Sequence, residues 1–147
     1  MHILFTVARV LLVLIFIISG GMKLLDIPGT AAQLGAIVTI PDALAGLATQ
    51  LQDATGMKVP QLLAIFVGVV EVVGGLLLAF NIATRFAAFV LVIFTLVATY
   101  YAHAFWSMSG AAMQENMIHA LKNLSIIGGL LTYMVLGSWR PVPSNEI

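Results

Sequence analysis

Four long apolar runs constrain this chain more than any other feature. Each extends for about 20 residues, the length that a helix needs to cross a hydrocarbon core about 30 Å thick. The runs fall at about residues 3–25, 61–80, 83–105 and 117–137. Only 8% of the 147 residues are charged, against roughly 25% in soluble domains. The sequence therefore predicts an all-α integral membrane protein, with four transmembrane helices in an antiparallel bundle and a single domain over residues 1–147.

The segment between the first two runs, about residues 26–60, has a mixed composition with several prolines, glycines and three aspartates. We expect it to leave the membrane as a long outer loop with short helices at 30–40 and 42–53. Apolar residues of the second helix recur at three-to-four spacing: Leu44, Leu47, Ala48 and Leu51. This spacing predicts a helix that lies on the bilayer surface or across the mouth of the bundle.

The first run has a rival interpretation as a cleaved signal peptide. Its apolar stretch is longer than the roughly 7–15 residues of a signal core, and no small-x-small cleavage motif follows it. We therefore predict an uncleaved span.

The basic residues predict an orientation. Four spans put both termini on one side, where Arg9, Arg85 and Arg140 collect, while Lys23 and Lys58 lie towards the other side with the three aspartates. The positive-inside rule then favours cytoplasmic termini, by a margin of one basic residue.

Charge and cysteine content exclude several functions. Six basic and six acidic residues cancel, so the chain has no basic stripe and we expect no nucleic-acid partner. It has no cysteine, which excludes disulfides, thiol redox chemistry and cysteine-ligated clusters. We expect neither a metal site nor catalytic residues: the sequence has no phosphate-loop or nucleophile-elbow motif. Any redox chemistry must use a bound cofactor or another subunit.

Glu71 is an acid near the middle of the second span, about 16 Å deep at 1.5 Å per residue. A carboxylate at that depth needs a partner or a function. Two cations within the spans, Lys122 and Arg9, are candidates for an ion pair with Glu71. Such a pair either fixes the helix register or belongs to a proton, ligand or quinone site. The sequence leaves both interpretations open.

A second group of polar residues begins the last span. His119 and Asn123 are four residues apart and share a helix face next to Lys122. His103 ends the third span and should reach a similar depth, so these residues are predicted to form one polar cluster with Glu71. Two histidines on neighbouring helices could ligate haem. We do not expect haem, because histidines are ordinary in an aromatic interface belt; a quinone is the cofactor that stays open.

Paired glycines recur in three spans, 54 residues apart each time. Glycines let helix backbones approach closely in lipid. We predict helix-packing roles for six of them: Gly20, Gly21, Gly74, Gly75, Gly128 and Gly129. The even spacing also suits an internal duplication, which stays open.

Several short motifs follow one another along the chain: Arg9, Phe16-Ile-Ile-Ser-Gly-Gly-Met-Lys-Leu, Glu71-Val-Val-Gly-Gly, Thr84-Arg85, His103-Ala-Phe-Trp and His119-Ala-Leu-Lys-Asn-Leu-Ser-Ile-Ile-Gly-Gly. Together they resemble the motifs of the DoxX family of small four-span membrane proteins. The resemblance covers most of the chain, although the 26–60 loop is longer than is common in the family. It implies no catalytic role: DoxX-like proteins include a small subunit of a thiosulfate:quinone oxidoreductase and membrane partners of sulfur-transfer and superoxide-detoxifying proteins.

These observations lead to three hypotheses. The first is a non-catalytic or quinone-proximal subunit of a redox or stress-response complex in the inner membrane of a bacterium or archaeon. The second is a carrier of a small metabolite or of protons, and the third is a structural membrane adaptor. We expect contact with the lipid bilayer and a membrane or peripheral protein partner, and self-association stays open.

Overall fold

The structure, a computed structural model, describes residues 2–137 and contains six α-helices in this range. Two short 3-10 helices, Asp42–Leu44 and Phe105–Ser107, lie in the links, and the described residues contain no strand. The α-helices are α1 His2–Leu25, α2 Ile27–Ile37, α3 Ala45–Thr55, α4 Val59–Ala79, α5 Thr84–Ala102 and α6 Gly110–Leu136.

Four of the helices, α1, α4, α5 and α6, are long and apolar enough to cross a membrane. The predicted all-α four-span architecture is confirmed. It follows from the solvent, because lipid cannot satisfy backbone N–H and C=O groups and a helix satisfies them internally.

Local signals set the short helices of the loop. The carboxylate of Asp26 accepts a hydrogen bond of 2.9 Å from the backbone N–H of Gly29 and caps α2. Helix α3 ends at Gly56, which has a left-handed φ of 68° that glycine adopts without strain. Helix α4 begins with Pro60 in its first turn, where no backbone donor is lost.

The four long helices run antiparallel. We call the end where α1 begins and α6 ends the terminal side, and the end that carries α2 and α3 the loop side. Helix α1 packs along α4, α4 lies beside α5, and α5 packs along α6, whereas α1 and α6 touch only briefly.

The apolar core lies in the terminal half of the bundle. Its fully buried side chains are Val13, Leu78, Leu91 and Leu130, each within the half of its helix nearer the terminal side. Buried polar residues lie at several levels: Arg9 and Thr84 towards the terminal side, Glu71 near the middle of α4, and Thr95 in the loop half of α5.

Contacts between α1 and α6 belong to the same terminal half. The Tyr133 hydroxyl donates a hydrogen bond of 3.2 Å to the carbonyl of Phe5, and a Cβ at Gly129 would lie 3.0 Å from Leu12. The buried residues of α6 are Ile127, Leu130 and Tyr133, all in its C-terminal half. Towards the loop side, α6 therefore packs mainly against α5.

Candidate functional site

An ion pair between α1 and α4 is the centre of the candidate site. The Lys23 ammonium lies 2.7 Å from Oε2 of Glu71, and the Ser19 hydroxyl donates a hydrogen bond of 3.2 Å to the other carboxylate oxygen. Lys23 also donates to the Ser19 hydroxyl. The Glu71 side chain is only 6% exposed and that of Lys23 is 27% exposed. Both carboxylate oxygens thus have donors, as a charge in lipid requires.

A close helix crossing brings these groups together. Gly20 follows Ser19, and a Cβ added to Gly20 would lie 2.7 Å from both the Glu71 Cβ and the Gly68 carbonyl oxygen. Only glycine allows that approach. Ser19 and Lys23 are four residues apart on the same helix face, so both reach the carboxylate.

The partner of Glu71 corrects the sequence prediction, which considered Lys122 and Arg9. Lys122 is exposed on α6, a helix that packs against α5 rather than α4. Arg9 is ten residues before Ser19, about 15 Å along α1 towards the terminal side. Lys23 pairs instead because it lies on the helix that crosses α4 beside Glu71.

Arg9 itself is buried, with only 8% of its surface exposed. Its Nε has no hydrogen-bond partner within residues 2–137. Because Arg9 is in the first half of α1, it lies on the terminal side, apart from the ion pair.

Lys23 and Ser19 were missed as site residues because Lys23 stands at the end of its apolar run, where a basic residue is an ordinary flanking group. One signal could have found them. A serine and a lysine at four-residue spacing enclose a glycine that permits close packing.

A cavity of about 540 Å³ opens beside the ion pair. We call it the α1–α2 groove. Its apolar lining is Ile15, Ile18 and Met22, and its polar lining is Ser19, Lys23, Asp26, Thr30 and Gln33. The groove thus joins an apolar wall to hydrogen-bond donors, a combination typical of sites for small organic ligands. Within residues 2–137 no three His, Cys, Asp or Glu side chains are grouped for a metal.

A second polar cluster joins α5 and α6. The rings of His103 and His119 are stacked, with centroids 4.8 Å apart and planes 9° from parallel. His103 Nδ1 lies 3.0 Å from Oδ1 of Asn116, and Asn123 donates a hydrogen bond of 2.9 Å to the Thr99 hydroxyl. The structure thus brings His103, His119 and Asn123 to one seam, while Glu71 belongs to the cluster between α1 and α4.

Comparison with known proteins identifies the family. The DoxX family model matches residues 4–104, more than half of the chain. The chain belongs to the DoxX family. It is also 31% identical over 135 residues to inner membrane protein YphA of Escherichia coli (strain K12), covering 92% of this chain and 84% of that protein. No solved structure matches the chain.

The family and the four apolar helices together show that this DoxX protein is a multi-pass inner-membrane protein in contact with the bilayer. Ser19, Lys23 and Glu71 lie within the residues that the family model matches, whereas His119 and Lys122 lie beyond them. The ion pair is therefore in the part of the chain that shows the family.

The stacked histidines of this DoxX protein do not fit a haem. A haem iron bound by two histidines lies between them with the ring nitrogens pointing at it. Here the two rings face each other at 4.8 Å, which leaves no space for an iron between them.

The six glycines for which packing roles were predicted occupy different surroundings. An added Cβ would lie within about 3 Å of a neighbouring helix at Gly20, Gly74, Gly75 and Gly129. At Gly21 and Gly128 it would meet nothing within 4 Å. The first and third pairs thus each present one glycine to a neighbour, while the second pair faces α5 with Gly74 and α1 with Gly75.

Proposed function

We propose that this protein is a non-catalytic, quinone-proximal subunit of a redox or stress-response complex in the inner membrane. The observation that carries the proposal is the Lys23–Glu71 ion pair at the edge of the α1–α2 groove. In this proposal the groove holds a quinone head group, and Lys23 donates a hydrogen bond to one of its carbonyls.

The number of N–H donors on the Lys23 ammonium supports this role. An ammonium group has three N–H donors. One is directed at Glu71 and one at Ser19, and the third has no partner within residues 2–137. Because the Lys23 side chain is 27% exposed and lines the groove, this donor is available to a ligand that carries only acceptors.

Glu71 holds the ammonium in place. Its carboxylate lies behind Lys23 and is itself only 6% exposed. The carboxylate orients the Lys23 ammonium without competing for the ligand. The apolar wall of Ile15, Ile18 and Met22 suits a ring and a prenyl tail.

Electrons would have to come from a partner in this proposal. The chain has no cysteine for an iron–sulfur cluster, and its stacked histidines do not fit a haem. The subunit would position the quinone, and a partner protein with its own redox centre would reduce or oxidise it.

Quinone titration tests the proposal. Purified protein in nanodiscs is titrated with ubiquinone-1, and we expect binding to weaken about tenfold or more in Lys23→Met, since hydrogen bonds to charged groups contribute about 1.5–3 kcal/mol. Glu71→Gln should also weaken binding. Lys58→Met is the matched control, because Lys58 is exposed in the loop before α4, and it should bind like the wild type.

A further variant separates binding from folding. Lys23→Arg keeps the charge and the donors, so it should retain most of the affinity. Equal affinity of wild type and Lys23→Met, with both proteins folded, would overturn the proposal.

A carrier of protons or of a small metabolite is the second candidate, favoured by the position of Glu71 within a span. Against it stands the packed terminal half, where Leu78, Leu91 and Leu130 are fully buried. Proteoliposome flux that is abolished by Glu71→Gln would favour the carrier. Substitutions that change only thermal stability would favour a structural adaptor.

A further inference from the structure

One face of α6 contacts α1 near the terminal side. The Tyr133 hydroxyl donates a hydrogen bond to the Phe5 carbonyl, and Gly129 packs on Leu12. Lys122 is seven residues before Gly129, which is close to two helical turns. Lys122 therefore extends from the same face of α6, about 10 Å nearer the loop side.

The face of α1 that contacts α6 can be extended towards the loop side in the same way. Ser19 is seven residues after Leu12, so it lies on the face that contacts α6, again about 10 Å nearer the loop side. Measured from the Leu12–Gly129 contact, Ser19 and Lys122 thus reach the same level. Lys23 follows Ser19 by about one turn on nearly the same face.

Between these two faces the bundle is open. No residue of α6 before Ile127 is buried, and Lys122 is exposed. Ser19 and Lys23 line the α1–α2 groove on the other side. Ser19 and Lys122 thus lie on opposite sides of the space between α1 and α6, on the loop side of the Leu12–Gly129 contact.

We propose that the space between α1 and α6 is a cleft continuous with the α1–α2 groove, that Lys122 is a second ligand-binding residue on its wall opposite Lys23, and that the ligand enters through it from the bilayer. The proposal rests on the proposed function and deepens it. It explains a lysine within a span that has no carboxylate partner among residues 2–137, where lipid alone would solvate it poorly.

The distribution of charge defines the ligand class. Glu115 is seven residues before Lys122 and lies on the same stripe, while Asp26 lines the groove near the end of α1. Carboxylates thus stand at the mouth and lysines deeper in. An anionic amphiphile such as a fatty acid is repelled at the mouth. A neutral para-quinone can accept a hydrogen bond from Lys23 at one carbonyl and from Lys122 at the opposite one.

Cross-linking tests the cleft without any ligand. The chain has no cysteine, so the double variant Ser19→Cys/Lys122→Cys can be treated with a bifunctional methanethiosulfonate whose arms span about 10 Å, the scale of neighbouring helices. We expect rapid intramolecular cross-linking. Ser19→Cys/Leu121→Cys is the control, since Leu121 is rotated about 100° away on α6. Equal cross-linking of the two pairs, or none in the first, would overturn the cleft regardless of what binds there.

Binding then tests the ligand. We expect Lys122→Met to weaken ubiquinone-1 binding about tenfold, Lys122→Arg to restore it, and decanoate to compete poorly. Unchanged affinity in Lys122→Met, together with weaker binding in Lys23→Met, would overturn the role of Lys122 and leave the proposed function standing. Tight binding of decanoate would overturn the ligand class. Absence of ubiquinone-1 binding by the wild-type protein would overturn both proposals, while cross-linking would still report on the cleft.

Discussion

Among single residues, Glu71 is costly to place in the bilayer. A charged residue at the centre of a span costs about 2.5–3.5 kcal/mol on insertion scales. Lys23 and Ser19 offset that cost with three hydrogen bonds among the side chains of the three residues. Removing either Lys23 or Glu71 alone should therefore destabilise the protein.

A double-mutant cycle tests this coupling. We expect Lys23→Met to lower the free energy of unfolding by about 3 kcal/mol, because it leaves a buried carboxylate without its cation. Lys23→Met/Glu71→Leu should lose clearly less, since it removes both charges. Unfolding in mixed micelles measures each variant. A loss in the double variant equal to the sum of the losses in Lys23→Met and Glu71→Leu would contradict the coupling.

The importance of Glu71 could be predicted from the sequence, but its partner could not. An acid inside an apolar run stands out, because lipid does not solvate it. Lys23 does not stand out, because basic residues are common at the ends of spans. Which cation meets Glu71 depends on the crossing at Gly20 and Gly68, and that crossing depends on the packing of two whole helices.

Among the elements, α1 and α4 show how glycines set a helix crossing. Gly20→Ala places a Cβ 2.7 Å from the Glu71 Cβ and the Gly68 carbonyl oxygen, so we expect a loss of about 1–3 kcal/mol from overpacking. Gly21→Ala is the matched control. Its Cβ meets nothing within 4 Å, and alanine is the better helix former, so stability should stay level or rise. Melting temperatures in detergent compare the two, and equal losses would contradict the crossing.

The α5–α6 seam depends on a polar contact in its loop half. Asn123 donates to the Thr99 hydroxyl at 2.9 Å, and hydrogen bonds between membrane helices contribute about 0.6–1.7 kcal/mol in double-mutant cycles. We expect a coupling in this range between Asn123→Leu and Thr99→Val. Ser125→Ala is the control, because Ser125 is exposed and bonds within its own helix. A coupling near zero would contradict a stabilising role for this hydrogen bond in the seam.

The spans could be predicted from the sequence because hydropathy and length alone define a helix in lipid. The faces of the helices could not. Gly20 and Gly21 are adjacent and chemically identical, yet only Gly20 contacts α4. One residue of rotation decides between them, and hydropathy does not distinguish a face that packs on a helix from one that faces lipid, because both are apolar.

For the whole molecule, the orientation in the membrane is still a prediction from charge. With cytoplasmic termini, the loop that carries α3 lies in the periplasm. We expect Asp53→Cys, in exposed α3, to react with a membrane-impermeant maleimide in intact spheroplasts. Ile82→Cys, in the α4–α5 link, should react only after permeabilisation. The reverse pattern would invert the orientation.

The arrangement of the polar side chains in two separate clusters was only partly predictable. The polar residues are visible in the sequence, and their depth follows from helix rise. A single cluster was expected, whereas the structure separates the Lys23–Glu71 pair from the His103–His119 stack. The separation arises because Glu71 lies where α4 packs along α1, whereas His119 lies where α6 packs along α5. No local pattern in a single helix encodes which neighbour it packs against.

The central claim is that Lys23 donates a hydrogen bond to a quinone carbonyl, and infrared difference spectroscopy of bound ubiquinone-1 measures that bond directly. In the wild type and in Lys58→Met we expect a carbonyl stretch at lower wavenumber than that of the free quinone. In Lys23→Met the shift of this carbonyl should disappear. An unshifted carbonyl in the wild-type protein, or the same shift in Lys23→Met, would contradict the claim.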